Sequence, residues 1–234
     1  MTAKIIRAKL KQLANKDKAK ILQGFFKTGP GEYGEGDIFL GINVPTLRTL
    51  CKEHDSTSLT EVVRLLKSPI HEERLLALLM LVRAFSKGDE ALQKKIYALY
   101  LKHTKYINNW DLVDLTAPNI VGTYLLERSR KPLYALVKSD DLWERRISIL
   151  STFSFIKQND FYDAFKISHT LLTDEHDLIH KAVGWMLREI GKRDLYAEEQ
   201  FLKSRYKNMP RTMLRYAIER FPEPRRKKYL NGSI

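Results

Sequence analysis

The chain is built on a repeat. Arg74, Trp110, Arg146, Lys181 and Arg215 each sit one or two turns into an amphipathic segment, and the gaps between them are 36, 36, 35 and 34 residues. Nearly every stretch carries apolar residues at i, i+3, i+4 and i+7, and none alternates with period two over several residues, so helices are expected throughout. Each interval also holds a second, shorter helical segment, such as EALQKKIYALYLK or DFYDAFKISHTLL. A helical pair of this length cannot cover its own apolar face, so pairs stack and bury a continuous core. The run LLALLMLV, residues 75–82, is apolar almost all round, as an inner helix packed on both sides would be. The expected fold is all-α: a curved solenoid of helical pairs forming one domain over residues 1–234, the second helix of each pair lining its concave face.

Local signals mark where the inner helices begin. Ser68-Pro69 reads as a cap followed by proline in the first turn. Asn108-Asn109 precedes WDLVDLTAPNIVGTYLL, Asp140-Asp141 precedes LWERRISILSTF, and Thr173-Asp174 precedes EHDLIHKAVGWMLREI. Gly88 and Gly191 read as helix stops.

Charge narrows the partner. Lys and Arg number 41 against 28 Asp and Glu, a net charge of +13, which favours a polyanion. Four of the five repeated positions are cations, with Arg188, Arg211 and Arg220 nearby, so a concave groove would carry a basic stripe suited to a phosphate backbone. Glu72, Glu73, Glu144 and Glu189 offer some of these cations a structural use instead. No apolar run is long enough for a bilayer, so no membrane span is expected. The basic amphipathic N-terminus reads as a helix, not a secretory signal. The lone Cys51 can form neither an internal disulfide nor a thiolate cluster, and a reducing cytoplasm is the expected compartment.

The second repeat position breaks the cationic pattern. It is Trp110, and Asp114 follows on the same helical face. Two repeats later comes Trp185, with Arg146 in the repeat between. In a regular solenoid two indoles, a carboxylate and a guanidinium would converge. A purine alkylated at N3 or N7 is cationic and leaves without a general acid. Its release needs only stabilisation of an oxocarbenium-like sugar and a placed water, which one carboxylate can supply. Aromatic faces attract such cations by roughly 0.5–2 kcal/mol each, and Arg146 would hold a neighbouring phosphate. A core tryptophan followed by acids favouring a helix N-terminus would give the same WxxxD spacing. The residues alone leave both readings open.

At these residues the chain resembles the bacterial DNA alkylation repair glycosylases of the AlkD type. The resemblance runs through FFKTGPGEYGEGDIFLGINVPTLRTL, NWDLVDLTAP, LWERRISIL and IHKAVGWMLRE, in the family's order and spacing, and covers most of the chain. It implies HEAT-like repeats with duplex DNA in a concave groove. It implies excision of positively charged N3- and N7-alkylpurines without metal or organic cofactor. Asp114 falls on the family's catalytic carboxylate, Trp110 and Trp185 on its aromatic walls, and Arg146 on its groove arginine. The lesion would stay stacked, with the aromatic side chains against the deoxyribose, instead of flipping into a pocket. One departure stands out: where some members place a tyrosine, this chain has Phe25, which can pack but cannot donate a hydrogen bond. Lys181, Arg188, Arg211 and Arg215 would extend the basic groove, and the chain is expected to bind alkylated duplex DNA as a monomer.

Other features carry less. The segment Gly29–Asp37 is glycine-rich but lacks the Lys-Ser/Thr pair of a phosphate loop, and its three acids would repel phosphate. It reads as a structured loop, with Tyr33 near the groove mouth. His176 and His180 have the i, i+4 spacing of a zinc pair but no third ligand, so surface histidines are expected. The run Arg225-Arg226-Lys227-Lys228 could touch DNA or dangle. Two rival functions share the scaffold: a non-catalytic DNA binder and a protein-interaction solenoid.

Overall fold

The computed structural model describes residues 1–234, and the fold is all-α. The only β-type pairing is an isolated parallel bridge between Ile38 and Ile70. The chain forms two compact units, Met1–Thr116 and Ala117–Ile234.

The first unit holds α1 (Ala3–Gln12), α2 (Lys16–Phe25), α3 (Val44–Glu53), α4 (Leu59–Leu66), α5 (His71–Lys87), α6 (Glu90–Lys102) and α7 (Trp110–Asp114). Its centre is α5, which packs against α3, α4, α6 and α7. Every residue from Leu75 to Leu81 is buried, as the all-round apolar run predicts. The second unit opens with a π-helical turn, Pro118–Gly122, followed by α8 (Lys131–Leu136), α9 (Leu142–Ser151), α10 (Phe153–Ile156) and α11 (Tyr162–Thr170). It ends with α12 (Asp177–Gly191), α13 (Leu195–Lys203), α14 (Arg211–Ala217) and α15 (Glu223–Asn231). Here α12 packs on α9 and α14, while α8, α11 and α13 pack behind them, so successive pairs form two layers. Arg146, Lys181 and Arg215 are each the fifth residue of an inner helix, α9, α12 and α14.

Side-chain caps define many of the helix starts. Asn15 accepts from the Lys18 N–H at 2.9 Å, Asn43 from Thr46 at 2.9 Å, Asp89 from Leu92 at 2.9 Å and Asp194 from Ala197 at 2.9 Å. Asn109 and Asp141 cap α7 and α9, as the sequence predicts. Each such cap contributes about 0.5–2 kcal/mol.

Several boundaries differ from expectation, each for a local reason. The α5 helix begins at His71, not at Pro69, because Ile70 bridges to Ile38 in extended form. The Ser68 hydroxyl instead accepts from the Ile70 N–H at 3.1 Å. The α12 helix begins at Asp177, because Asp174 is engaged with Arg145 at 2.6 Å and His176 takes the cap, its ring accepting from the Leu178 N–H at 3.1 Å. The segment after Trp110 is not one long helix. Pro118 cannot donate to the ladder, and the chain passes through the π turn. Gly88 does end α5, but Gly191 lies within α12. A Cβ there would stand 1.7 Å from a Glu198 carboxylate oxygen, so this glycine serves close packing. The basic C-terminal run forms α15, where Arg225 pairs with Glu199. No helix is long and apolar enough to cross a membrane.

Candidate active site

Trp110 and Asp114 stand at the two ends of α7, and both are half-buried. The α7 helix has only five residues, too few to be stable alone, so its neighbours must hold it. The Asn109 side chain accepts from the Trp110 N–H at 2.8 Å, and Asp111 Oδ1 accepts from the Leu112 N–H at 2.9 Å. On the far side, Thr116 bonds the Leu112 carbonyl and meets the buried Tyr100 hydroxyl at 2.9 Å. Burial raises the Tyr100 phenol above its ordinary pKa, and the Asp114 carboxylate adds to that shift, which puts Asp114 within electrostatic reach of this ring.

Trp110 rests on an aromatic stack. Its ring lies 5.1 Å from Phe26 at an interplanar angle of 16°, and Phe26 stacks on Phe39 at 5.0 Å. Phe39 lies over His71 at 4.4 Å. Phe25, 62% exposed, meets the Trp110 ring edge-on at 6.0 Å. Phe25 thus packs beside the indole. Pairs of this kind contribute about 0.5–1.5 kcal/mol beyond their buried area. Next to the stack is a cavity of about 400 Å³, walled by Ile21, Leu22, Phe25 and Phe26 with His71 and Asp111 among its lining residues.

Below the stack lies a buried charge network that sequence reading did not find. Asp37 Oδ1 accepts from Arg74 at 2.6 Å and from the Asn108 amide at 3.4 Å. Asp37 Oδ2 faces His71 Nδ1 at 3.2 Å and accepts from Asn109 at 3.3 Å. The other ring nitrogen of His71 meets Asp111 Oδ2 at 2.8 Å. Burial pushes the Asp37 carboxyl up, but the His71 hydrogen bond and the Arg74 charge outweigh it and leave the pKa below its ordinary value. Burial alone would lower the His71 pKa, but the hydrogen bonds with Asp111 and Asp37 overcome it and hold the ring above its usual value.

This network corrects the reading of Arg74 as a groove cation. Its side chain is buried, and it also donates to the Ser68 carbonyl at 3.0 Å. Asp37, at the end of the glycine-rich loop, anchors that loop to α5 and to the α7 cap. Adjacent to it, Glu72 folds back on the same segment. Its carboxylate accepts the backbone N–H groups of Leu40, Gly41 and Ile42, at 2.9, 2.7 and 3.2 Å. Gly41 permits this turn: its φ is +81°, and a Cβ would meet the Asn15 carbonyl oxygen at 2.2 Å. Tyr33 is half-buried.

The remaining site residues belong to the second unit. Arg146 is 5% exposed and donates to the Leu178 carbonyl in the first turn of α12. Trp185 is half-buried; its indole N–H donates to Glu189 Oε1 at 3.2 Å and its ring lies 6.1 Å from Phe153. Lys181 pairs with Asp177 at 2.7 Å, and Arg188 pairs with Glu219. Arg211 is exposed and donates to the Leu230 carbonyl at 2.8 Å. Lys181, Arg215 and Arg226 share a surface cleft of about 570 Å³ with Asp177, Tyr216 and Glu219. His180 bonds the Asp174 carbonyl, so the histidine pair is occupied in shaping the start of α12. No group of three or more His, Cys, Asp or Glu side chains is arranged as a metal would require.

A half-buried carboxylate one turn from a half-exposed indole, in a strongly basic chain, suits stabilisation of a cation on a polyanionic substrate. Comparison with known proteins bears on that substrate. Among curated proteins no relative matches the chain. A solved structure described as a predicted DNA alkylation repair enzyme from Enterococcus faecalis shares the fold, with a TM-score of 0.68 at 16% identity, over 90% of this chain and 97% of that one. The family model for the DNA alkylation repair enzymes matches residues 6–221. With the match spanning nearly all of both units, the chain belongs to the DNA alkylation repair enzyme family.

Proposed function

We propose that the chain is a DNA glycosylase that releases N3- and N7-alkylated purines from duplex DNA. One observation carries the reading: Asp114 lies one helical turn from Trp110 on α7, both partly open, in a member of a DNA alkylation repair family. The alkylated purine already bears positive charge. As the C1′–N bond breaks, its electron pair passes to the base, which leaves neutral. The sugar becomes oxocarbenium-like, and the Asp114 carboxylate stabilises that charge. The same carboxylate orients a water whose oxygen bonds C1′ while its proton passes to the carboxylate and then to solvent. No general acid, metal or organic cofactor is required by this chemistry, because the leaving group needs no activation.

Trp110 in the first unit, and Trp185 in the second, offer ring faces to a cationic sugar or base. Arg215, Arg211 and Lys181 take phosphates along the backbone. Arg188 does so with a charge that it also shares with Glu219. Arg146 contributes its charge from a nearly buried position while holding the start of α12. We further propose that both units contribute to binding the DNA.

The test is base release. Duplex DNA carrying N7-methylguanine is incubated with the wild-type chain and with Asp114→Asn, and free base is measured against the spontaneous rate. The wild type is expected to release base, and the variant to lose release while binding the duplex normally. Full activity in Asp114→Asn removes that residue from the mechanism. Tight, salt-sensitive DNA binding with no release in the wild type would favour a non-catalytic binder.

A further inference from the structure

Both ring nitrogens of His71 face carboxylate oxygens, Asp37 Oδ2 at 3.2 Å and Asp111 Oδ2 at 2.8 Å. A neutral imidazole has one N–H, so it would turn a lone pair toward one of these anions. Only the imidazolium donates to both. Among the buried side chains that hydrogen-bond one another here, Asp37 and Asp111 are then each paired with a cation, His71 or Arg74.

His71 reaches α7 by two routes. Through Asp111, whose other oxygen accepts from the Leu112 N–H, it is tied to the first turn of that helix. Through Phe26 and Phe39, which lie 5.1 and 4.4 Å from the imidazole, it supports the stack under the Trp110 indole. Trp110 and Asp114 are the neighbours of Asp111 by one and three residues.

We propose that His71, as an imidazolium clamped between Asp37 and Asp111, is a positioning residue that sets the orientation of Trp110 and Asp114 for base release. It touches neither the base nor the sugar. The proposal rests on the glycosylase reading for its kinetic part and on α7 alone for its structural part. It gives activity an alkaline limit. When the ring loses its proton, one of the two carboxylate bonds is lost, and the clamp that joins the loop to the first turn of α7 opens.

The charged and titratable groups facing the ring are Asp37 from the loop, Asp111 from α7, and Arg74 and Glu72 from its own helix. Lys18 lines the cavity that His71 also lines. Glu72 is occupied by three backbone N–H groups and Arg74 by Asp37, so Asp111 is the partner whose loss the ring would feel most directly. Hydrogen bonds and nearby carboxylates on the charged form also hold the His71 pKa above its ordinary value of 6.5, in keeping with the geometry.

The experiment uses the full chain, labelled with ¹⁵N-histidine and 5-fluorotryptophan. In the wild type, His71 is expected to carry protons on both nitrogens at pH 7.5. On titration to higher pH, the Trp110 fluorine resonance should move with the same midpoint as His71, and single-turnover base release should fall with that midpoint. In Asp111→Asn, checked for folding by circular dichroism, the His71 midpoint and the alkaline limb should both move down by about one unit or more, with DNA affinity unchanged.

A purely structural ion pair would lower stability but leave the alkaline limb in place, and that result overturns the proposal. So does a singly protonated His71 at pH 7.5, or a Trp110 resonance indifferent to its titration, both read on the wild type without any substitution. If the wild-type chain releases no base, the glycosylase reading falls, and the two NMR measurements alone decide whether His71 orders α7.

Discussion

Replacing Asp37 by Asn should destabilise the chain strongly, although the side chain barely changes shape. The carboxylate accepts from four donors, two on each oxygen: Arg74 and Asn108 on one, His71 and Asn109 on the other. An amide keeps one acceptor oxygen. Whichever way it turns, its NH₂ points at two donors, one of them on a charged or chargeable group. Removing one partner of a buried ion pair costs about 3–5 kcal/mol, because the other charge stays buried. In a chain of this size each kcal/mol moves the melting temperature by about 2–4 °C, so a fall of about 6–20 °C is expected.

The assay is thermal unfolding followed by circular dichroism at neutral pH. Pairing the change with Arg74→Met isolates the mechanism. The double variant no longer strands a buried guanidinium, so it should be less destabilised than the sum of the singles by about 1–3 kcal/mol. The pH dependence supplies a third check. A carboxyl whose folded pKa is depressed contributes stability above its ordinary value of 3.8 and loses it as pH falls through the folded value. The gap between wild type and Asp37→Asn should therefore be full at neutral pH and close in acid. A shift under about 3 °C, or additive single effects, would mean that Asp37→Asn strands no buried charge.

Other predictions follow from the second unit. Arg215→Ala, at an exposed position, should leave the melting temperature unchanged and reduce the slope of log affinity against log salt by about 1. Arg146→Ala should lower both DNA affinity and stability, because that buried guanidinium also holds the Leu178 carbonyl; equal melting temperatures for the two variants would contradict the placement. Glu198 is buried beside Glu199, and burial followed by the neighbouring charge pushes its pKa from 4.5 to about 9. The folded state thus keeps a proton that the unfolded state releases, so stability falls as pH rises between those two values. Glu198→Gln removes this dependence and should melt at least about 2–4 °C above wild type at pH 8 while matching it near pH 4; a difference independent of pH would count against it.

The repeat was legible because packing imposes it. Residues 75–81 had to be buried on all sides, and the spacing of Arg146, Lys181 and Arg215 follows from the recurrence of an inner helix in which each is the fifth residue. Caps at Asn109 and Asp141 were legible because each satisfies a local backbone N–H. Arg74 was misread because its repeat position matched the others while its partner, Asp37, is distant in sequence and lies in a loop without periodicity. His71 and Asp111 escaped notice for the same reason. Nothing local marks a histidine whose two acceptors come from a loop 34 residues before it and a helix 40 residues after it. The break after Asp114 had a signal in Pro118, which the apolar pattern on either side masked.

In the proposed mechanism a single carboxylate suffices because the departing base is already charged. It is tested most directly by comparing two leaving groups under single-turnover conditions: N7-methylguanine, which is cationic, and hypoxanthine, which is neutral, in otherwise identical duplexes. The first should be released well above its spontaneous rate and the second not measurably, with both duplexes bound equally. Comparable release of the neutral base would mean that the chain protonates its leaving group, and Asp114 as sole catalytic carboxylate would have to be abandoned.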